Sequence, residues 1–101
     1  MIVIQTACKS AKEARKIAEA LVKKKLAACV SISPVESIYR WKGKIKKAKE
    51  VLLVIKTQEG LAKKVTSMVK ELNSYEIPEI MAFQIAGGSK SYLGWLKKET
   101  S

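Results

Sequence analysis

The chain of 101 residues contains no histidine, so it lacks the side chain that proteins use most often as a general base and as a transition-metal ligand. Without histidine, a nucleophile of the Ser-His or Cys-His type is excluded. The two cysteines, Cys8 and Cys29, match no zinc-site spacing, and two thiols are too few for the four ligands that zinc requires. These absences argue against such enzymes and against a structural zinc centre.

Long apolar runs are missing as well, since none approaches the roughly 20 residues that a membrane helix needs. The N-terminal segment MIVIQTACKS lacks the basic start, long apolar middle and small-residue cleavage site of a signal peptide. We therefore expect a cytoplasmic protein with free thiols and no membrane partner. A composition of 48% hydrophobic and 29% charged residues predicts one globular domain over residues 1–101.

Positive charge is abundant: 20 lysines and arginines oppose 9 acids, all glutamate, which gives a formal net charge of +11. Residues 40–49 (RWKGKIKKAK) carry many of these cations beside Tyr39 and Trp41, a mixture typical of nucleic-acid surfaces. Strand alternation nevertheless predicts that the two rings point to one face and that Arg40 and Lys42 point to the other. This separation disfavours nucleic-acid binding and predicts one packed face and one solvated face.

Hydrophobic periodicity predicts an α+β protein. Short apolar or alternating runs predict strands at 2–7, 26–33, 37–42, 50–57 and 79–86. Pro34 is expected to end the second strand. The first and fourth strands are expected in the centre of the sheet. Helical spacing predicts helices at about 11–25, opened by a Ser10–Glu13 capping box, at 59–72, and after Ser89 or Ser91. This order is typical of a ferredoxin-like split βαβ sandwich, here with an extended β-hairpin and a C-terminal helix.

Two short polar segments interrupt the apolar ones and are candidate binding elements. Lys56 ends the most apolar strand, and Tyr75 and Glu79 belong to the connector before the last strand. Polar groups from two connectors can converge in one cleft. Cys29 lies between small and branched apolar neighbours, which is typical of a buried hydrophobic side chain rather than of a nucleophile.

Five segments in register resemble the CutA divalent-cation tolerance family over essentially the whole chain. They are ACVSI (28–32), SIYRWKGKI (37–45), KEVLLVIKT (49–57), YEIPEI (75–80) and SYLGWL (91–96). The resemblance implies a ferredoxin-like domain that assembles as a homotrimer with an architecture similar to PII signalling proteins. It also implies a role in tolerance of copper and other divalent cations, without a catalytic step or a required cofactor.

The resemblance further implies roles for individual residues. The hairpin around Tyr39 and Trp41 is expected to join subunits, in keeping with the preference of interfaces for aromatic anchors. Residues matching Lys56, Tyr75 and Glu79 are expected near clefts between subunits, where they would bind an ion or a small ligand.

The positions of the copper ligands proposed in bacterial relatives differ in this chain. The matching positions hold Gln5, Leu72 and Asn73 instead of a cysteine and a histidine pair. Cys29 and Glu79 remain as weak metal candidates, and one thiol with one carboxylate is an incomplete shell for a selective soft-metal site.

Three hypotheses follow. The first is a non-enzymatic homotrimer that acts in divalent metal tolerance. The second is a PII-like module that binds a partner protein or a small ligand at its intersubunit clefts, with an indirect metal effect. The third is a basic nucleic-acid binder.

Overall fold

The structure, a computed structural model, describes all residues from 1 to 101 and contains one antiparallel sheet with helices. The strands are β1 (Ile2–Cys8), β2 (Cys29–Trp41), β3 (Lys44–Thr57) and β4 (Ile80–Gln84), in the sheet order β2-β3-β1-β4. The helices are α1 (Ala11–Lys23), α2 (Ala62–Leu72), which follows a single 3-10 turn at Glu59–Leu61, and α3 (Lys90–Glu99). The predicted α+β fold, with β1 and β3 in the centre of the sheet, is confirmed.

The hydrophobic core lies between the sheet and the helices α1 and α2. Every second residue of β1 points into it, as the period of a strand requires. The sheet and the two helices contribute the largest fully buried side chains of this core, which are Ile4, Leu53, Ile55, Ile17, Leu21, Val65 and Val69. None of the three helices is both long and apolar enough to cross a lipid bilayer.

The start of α1 is fixed by side-chain caps. Ser10 Oγ accepts from the backbone N–H of Glu13 at 3.2 Å, which is half of the predicted capping box. The Glu13 carboxylate accepts from the N–H of Lys9 at 3.4 Å and from that of Ser74 at 2.9 Å. The same glutamate therefore ties the first helix to the segment that follows α2.

The end of α1 comes two residues earlier than predicted because Lys25 adopts a left-handed φ of 59°. The N–H of Lys25 donates to the Val22 carbonyl at 3.0 Å, and that of Leu26 donates to the Leu21 carbonyl at 2.9 Å. This pair of bonds is a Schellman motif, which normally places glycine where Lys25 stands.

Strand β2 does not end at Pro34, so this prediction was wrong. Pro34 pairs with Val51 within a continuous strand that reaches Trp41. The sheet order places β2 at an edge. Proline has no backbone N–H, and at position 34 this group would point away from β3, so no hydrogen bond between the strands is lost.

Beyond the end of β1, strands β2 and β3 continue as a two-stranded hairpin, residues 35–50, which we call the arm. Its turn places Lys42 and Gly43 at φ values of 49° and 75°, as a two-residue type I′ turn requires. The arm contributes to a long axis of 45 Å for a chain of this size.

The two faces of the arm differ from the prediction. Lys46 pairs with Tyr39 and Lys44 with Trp41, so both lysines share the aromatic face. The opposite face carries Ile38 and Ile45, whose side chains are 64% and 68% exposed. Rings and lysines are therefore not separated, and apolar residues lie on both faces.

The sheet face opposite α1 and α2, which we call the open face, is incompletely covered. Its central members Val3, Leu52 and Val54 are half-buried, while Met81 and Phe83 of β4 are exposed. This face continues without interruption into the aromatic face of the arm, because the strand alternation is unbroken.

Candidate functional site

A cleft of about 630 Å³ lies between the arm and the connector that joins α2 to β4. We call it the arm cleft. Its lining combines aromatic rings, carboxylates and one ammonium group, namely Tyr39, Trp41, Tyr75, Glu50, Glu76, Glu79 and Lys46. The predicted candidates Tyr75 and Glu79 therefore lie together, and the arm residues Tyr39 and Trp41 join them.

The connector is held by Asn73, the only asparagine of the chain. Its side chain is 7% exposed, and its Nδ2 donates to the Ala7 carbonyl at 3.0 Å, while its Oδ1 accepts from the N–H of Tyr75 at 2.9 Å. Leaving a buried polar group without a partner is costly, so both bonds help to fix the connector against the end of β1. Asn73 is a positioning residue for the arm cleft that the sequence did not reveal.

Glu79 is oriented by Gln5 of β1. Gln5 Nε2 donates to Glu79 Oε2 at 2.9 Å. Gln5 occupies a position at which the family resemblance places a metal-binding cysteine, and an amide there is a neutral hydrogen-bond donor rather than a thiolate. The pair positions a carboxylate in the cleft and supplies no soft metal ligand.

Tyr75 lines the arm cleft together with Glu50, a residue that the sequence had not indicated as part of a site. Burial raises the pKa of the Tyr75 phenol well above its ordinary value, and the interaction with the Glu50 carboxylate raises it further. The phenol offers an O–H group in the cleft, beside the carboxyl groups of three glutamates.

Lys56, the third predicted candidate, lies outside the arm cleft. Its Nζ donates to Ser31 Oγ at 2.8 Å and approaches Cys29 Sγ at 3.7 Å. Six positions along β3 separate it from Glu50, which corresponds to about 20 Å at the rise of a strand. A single chain thus does not bring Lys56 together with Tyr75 and Glu79.

The two metal candidates are also separated within one chain. Cys29 lies half-buried on the edge strand β2, and Glu79 precedes β4 at the other edge, about 20 Å away by strand rise and spacing. Cys8 is fully buried, and burial raises the pKa of its thiol. No three cysteine or acidic side chains cluster closely enough to hold a metal ion.

Comparison with known proteins identifies relatives over almost the whole chain. The sequence model of the family described as CutA1 divalent ion tolerance protein matches residues 2–99. The divalent-cation tolerance protein CutA of Thermus thermophilus is 48% identical over 88 residues, which cover 86% of this chain and 85% of the relative. Human protein CutA is 44% identical over 94 residues, covering 92% of this chain and 52% of the human protein. The chloroplastic protein CutA of Arabidopsis thaliana is 42% identical over 100 residues, covering 98% of this chain and 55% of the plant protein, so the chain spans about half the length of these two relatives.

Solved structures share the fold. The structure of the periplasmic divalent cation tolerance protein CutA from Archaeoglobus fulgidus has a TM-score of 0.97 and 38% identity, with 100% of both chains covered. The structure of the divalent cation tolerance protein from Thermus thermophilus has a TM-score of 0.95 and 44% identity, again with 100% of both chains covered. Since the family match extends over nearly all residues and these structures agree with it, the chain belongs to the CutA1 divalent ion tolerance family.

Proposed function

We propose that the protein is a non-enzymatic homotrimer that acts in the tolerance of divalent metal ions, copper among them. The observation that carries this proposal is the arm, a two-stranded hairpin with apolar residues exposed on both faces. An isolated two-stranded ribbon is at best marginally stable in water, and contiguous exposed apolar surface marks an interaction site. The arm is therefore proposed to be covered by neighbouring subunits.

The open face supports the same assembly. Met81 and Phe83 are exposed beside the half-buried Leu52 and Val54, which extends the apolar surface of the arm across the sheet. Burial of such a surface is favourable by about 25 cal/mol per Å² of apolar area. Tyr39 and Trp41 are the proposed anchors of the subunit contact, because interfaces favour rigid aromatic side chains.

The ligand site is proposed to be the arm cleft, completed between subunits. Within one chain Lys56 lies outside the lining of the cleft that contains Tyr75 and Glu79, so this proposal requires a second copy to supply the lysine. The cleft carboxylates are hard oxygen donors, which suit divalent cations better than they suit copper(I).

The oligomeric state is the first test. Sedimentation velocity at micromolar concentration is expected to give a species with three times the chain mass of 11.2 kDa. A monomer at that concentration would contradict both the trimer and the proposed contact through Trp41.

Direct metal binding is the second test. Isothermal titration with copper(II) and zinc is expected to show saturable micromolar binding that Glu79→Gln weakens, while Glu71→Gln on the surface of α2 leaves it unchanged; copper(I) is expected to bind more weakly, because carboxylates are hard donors. Cys29→Ser, titrated in the same way, tests whether Cys29, the other metal candidate, contributes to the binding. If no metal saturates the trimer, direct metal binding is wrong.

A PII-like interaction module is the second candidate function, and two observations favour it. No group of three metal-ligating side chains exists within the chain, and Lys46 brings an ammonium group into the cleft. Under this proposal the trimer binds a partner or small ligand and affects metal tolerance indirectly. A saturable metal titration that depends on Glu79 would contradict it.

Nucleic-acid binding, the third hypothesis, gains one observation from the arm. Lys42 Nζ lies 5.9 Å from the centroid of the Trp41 ring, and Lys44 shares the face of that ring. If the arm is covered in a trimer, these groups are not free to bind a strand of RNA or DNA. A mobility shift with generic RNA at physiological salt would favour nucleic-acid binding over the other two hypotheses.

A further inference from the structure

The helices α1 and α2 form the side of the molecule that the proposed subunit contacts do not use. They lie side by side over the core, whereas the proposed contacts use the arm and the open face, which is the sheet face opposite these helices. We call residues 9–25 and 62–72, which comprise the two helices and the flanks of α1, the helical layer. In a trimer joined through the arm and the open face, each subunit is expected to keep its own helical layer at the surface.

Most of the positive charge of the chain lies in the helical layer. Its 28 residues contain ten cations and three glutamates, which gives +7 of the formal net charge of +11. The other 73 residues contain ten cations and six glutamates, a net charge of only +4. All ten cations of the layer are exposed. They include Lys12, Lys16 and Lys23 on α1 and Lys63, Lys64 and Lys70 on α2.

Little of this charge is neutralised within the layer. Glu13 is half-buried, and its carboxylate accepts hydrogen bonds from the Ser74 N–H at 2.9 Å and from the Ser74 hydroxyl at 3.2 Å. Two exposed carboxylates, those of Glu19 and Glu71, therefore face ten exposed cations. Like charges at this density repel one another, and a bound polyanion relieves the repulsion.

The composition of the layer indicates which polyanion it suits. A basic domain, here with an isoelectric point of about 9.8, whose cations cluster on one face is typical of nucleic-acid binding. The layer has no aromatic residue, so it offers no platform for the stacked bases of a single strand. It has one arginine and neither asparagine nor glutamine, so it is poor in the side chains that read base edges. Lysine, a compact point charge, instead suits the phosphates of a duplex backbone.

An anionic membrane surface suits the layer less well. Helices that lie on a membrane combine a basic face with tryptophan, phenylalanine or leucine side chains that enter the lipid. The only large apolar side chain exposed in the helical layer is that of Val22. The layer therefore has the charge for a phosphate surface without the apolar anchors for a bilayer.

The dimensions of the layer agree with a duplex. Helix α1 has 13 residues and is about 20 Å long. A duplex carries one negative charge per about 1.7 Å of its axis, which gives about 12 phosphates over the same length. The number of cations in the layer is thus comparable with the number of phosphates along it.

We infer that the helical layer binds the phosphate backbone of double-stranded DNA without preference for its sequence. This surface is distinct from the arm, on which the third hypothesis places a single strand, and from the arm cleft. DNA binding by the layer therefore adds to the proposed function and does not depend on it.

The test uses the full chain in its native assembly and a fluorescein-labelled duplex of 20 base pairs. Fluorescence anisotropy at 50 mM salt is expected to give a Kd of about 1 µM. Contact with about five phosphates predicts that the affinity falls about 500-fold between 50 and 200 mM salt. Two duplexes of unrelated sequence are expected to bind within about twofold of each other, and a single strand of the same length more weakly. A salt effect below about tenfold, or a preference for the single strand, would overturn the proposal.

Matched variants locate the contact. Lys16→Gln/Lys64→Gln removes two cations from the layer and is expected to weaken duplex binding at least tenfold and to lower the salt slope by about 1 per lysine. The control Lys47→Gln/Lys98→Gln removes two exposed cations from the arm and α3 and is expected to stay within about threefold, with an unchanged slope. An equal or larger loss in the control would assign the binding to the overall charge or to the arm and refute the layer as the site.

The exposed acids of the layer give a test in the opposite direction. Glu19→Gln/Glu71→Gln is expected to tighten duplex binding severalfold. Glu36→Gln/Glu99→Gln removes the same charge from the arm and α3 and is expected to leave the affinity within about twofold. Equal tightening in both double variants would also refute the layer. Melting temperatures show that each variant is folded.

Vesicles of phosphatidylcholine and phosphatidylserine test the other anionic surface. Co-sedimentation at 50 mM salt is expected to show weaker binding to these vesicles than to the duplex. Tighter binding to the vesicles, lost in Lys16→Gln/Lys64→Gln, would make the layer a membrane-binding surface and overturn the proposal. The sedimentation and metal titrations of the proposed function do not involve DNA, so a trimer that ignores the duplex would refute only this inference.

Discussion

Strand β3 runs through two regions of the molecule that are built differently. In its C-terminal half, Leu53 and Ile55 are completely buried between the sheet and the helices. In its N-terminal half, within the arm, Ile45 is 68% exposed although it is as apolar as the core residues. The same strand therefore passes from a region with a complete core to one without any.

The difference shows what fixes the register in each region. In the globular region, a one-residue slip of β3 would turn Leu53 and Ile55 toward the open face, so burial specifies the pairing. In the arm, apolar and charged residues lie on both faces, and burial within one chain cannot distinguish them. There the type I′ turn at Lys42 and Gly43 sets the register.

The arm cleft lies where the two regions meet. Ala7 belongs to the sheet next to the core, whereas Tyr39, Trp41 and Glu50, the last residue of the arm, belong to the arm. Under the proposed function, the subunit contact that holds the arm in place would therefore also set the shape of the cleft.

The largest expected effect concerns the arm. Trp41→Ala removes the proposed anchor of the subunit contact, and truncating a buried tryptophan typically costs about 3–5 kcal/mol. We expect this variant to dissociate at micromolar concentration, as measured by sedimentation velocity. Trp41→Phe, the conservative control, is expected to remain assembled. Unchanged size and melting temperature in Trp41→Ala would show that the arm needs no partner.

The matching change in the core is Leu53→Ala. Leu53 is fully buried, and a Leu→Ala change at such a site costs about 2–5 kcal/mol of unfolding free energy. We expect a lower urea midpoint at fixed protein concentration, without a change in oligomeric state. Ile45→Ala on the same strand is the control. If Ile45→Ala lowers the unfolding free energy of the assembled protein as much as Leu53→Ala does, a partner subunit buries the arm as fully as the helices bury the core.

Most of the globular region was predictable from the sequence. Buried alternation in β1, the apolar run in β3 and helical spacing in α1 and α2 each follow from contacts within one element or with its neighbours. The extent of β2 was not predictable, because the tolerance of Pro34 depends on its strand being an edge, and edge position is a property of the whole sheet.

The candidate site was predictable only in part. Tyr75 and Glu79 were expected in one cleft and lie in one, since a single short connector carries both. Glu50 was missed because its place opposite the connector depends on the sheet order and on the bonds of Asn73. The faces of the arm were mispredicted because alternation along one strand says nothing about which residues of the other strand share its face.

A smaller effect is expected at the end of α1. Lys25 has a φ of 59°, where a side chain costs about 1–2 kcal/mol relative to glycine. Part of that gain is offset by the greater freedom of glycine in the unfolded chain, so Lys25→Gly should stabilise the protein by about 1 kcal/mol. Lys16→Gly, at an exposed position in the middle of the helix, is the control and should destabilise the protein by about 0.5–1 kcal/mol. A loss of stability in Lys25→Gly, measured by urea unfolding, would contradict the Schellman motif.

The smallest effect is expected at the matching position of the arm. Lys42 also has a left-handed φ, and Asn-Gly is a preferred pair in a type I′ turn, so Lys42→Asn should favour the turn. The same change removes the ammonium near the Trp41 ring, an interaction worth about 0.5–1 kcal/mol at an exposed site. The net gain is therefore expected to be below that of Lys25→Gly, and amide hydrogen exchange in the arm measures it.

In the background of Trp41→Leu, which has no ring, removing the ammonium has no further cost. At a protein concentration where sedimentation velocity gives both backgrounds the same oligomeric state, Lys42→Asn should therefore protect the arm amides more than it does in the wild-type chain. Equal protection in both backgrounds would mean that Lys42 contributes nothing through the ring. Left-handed lysines at α1 and in the arm would then differ only in what surrounds them, a complete core at Lys25 and a two-stranded ribbon at Lys42.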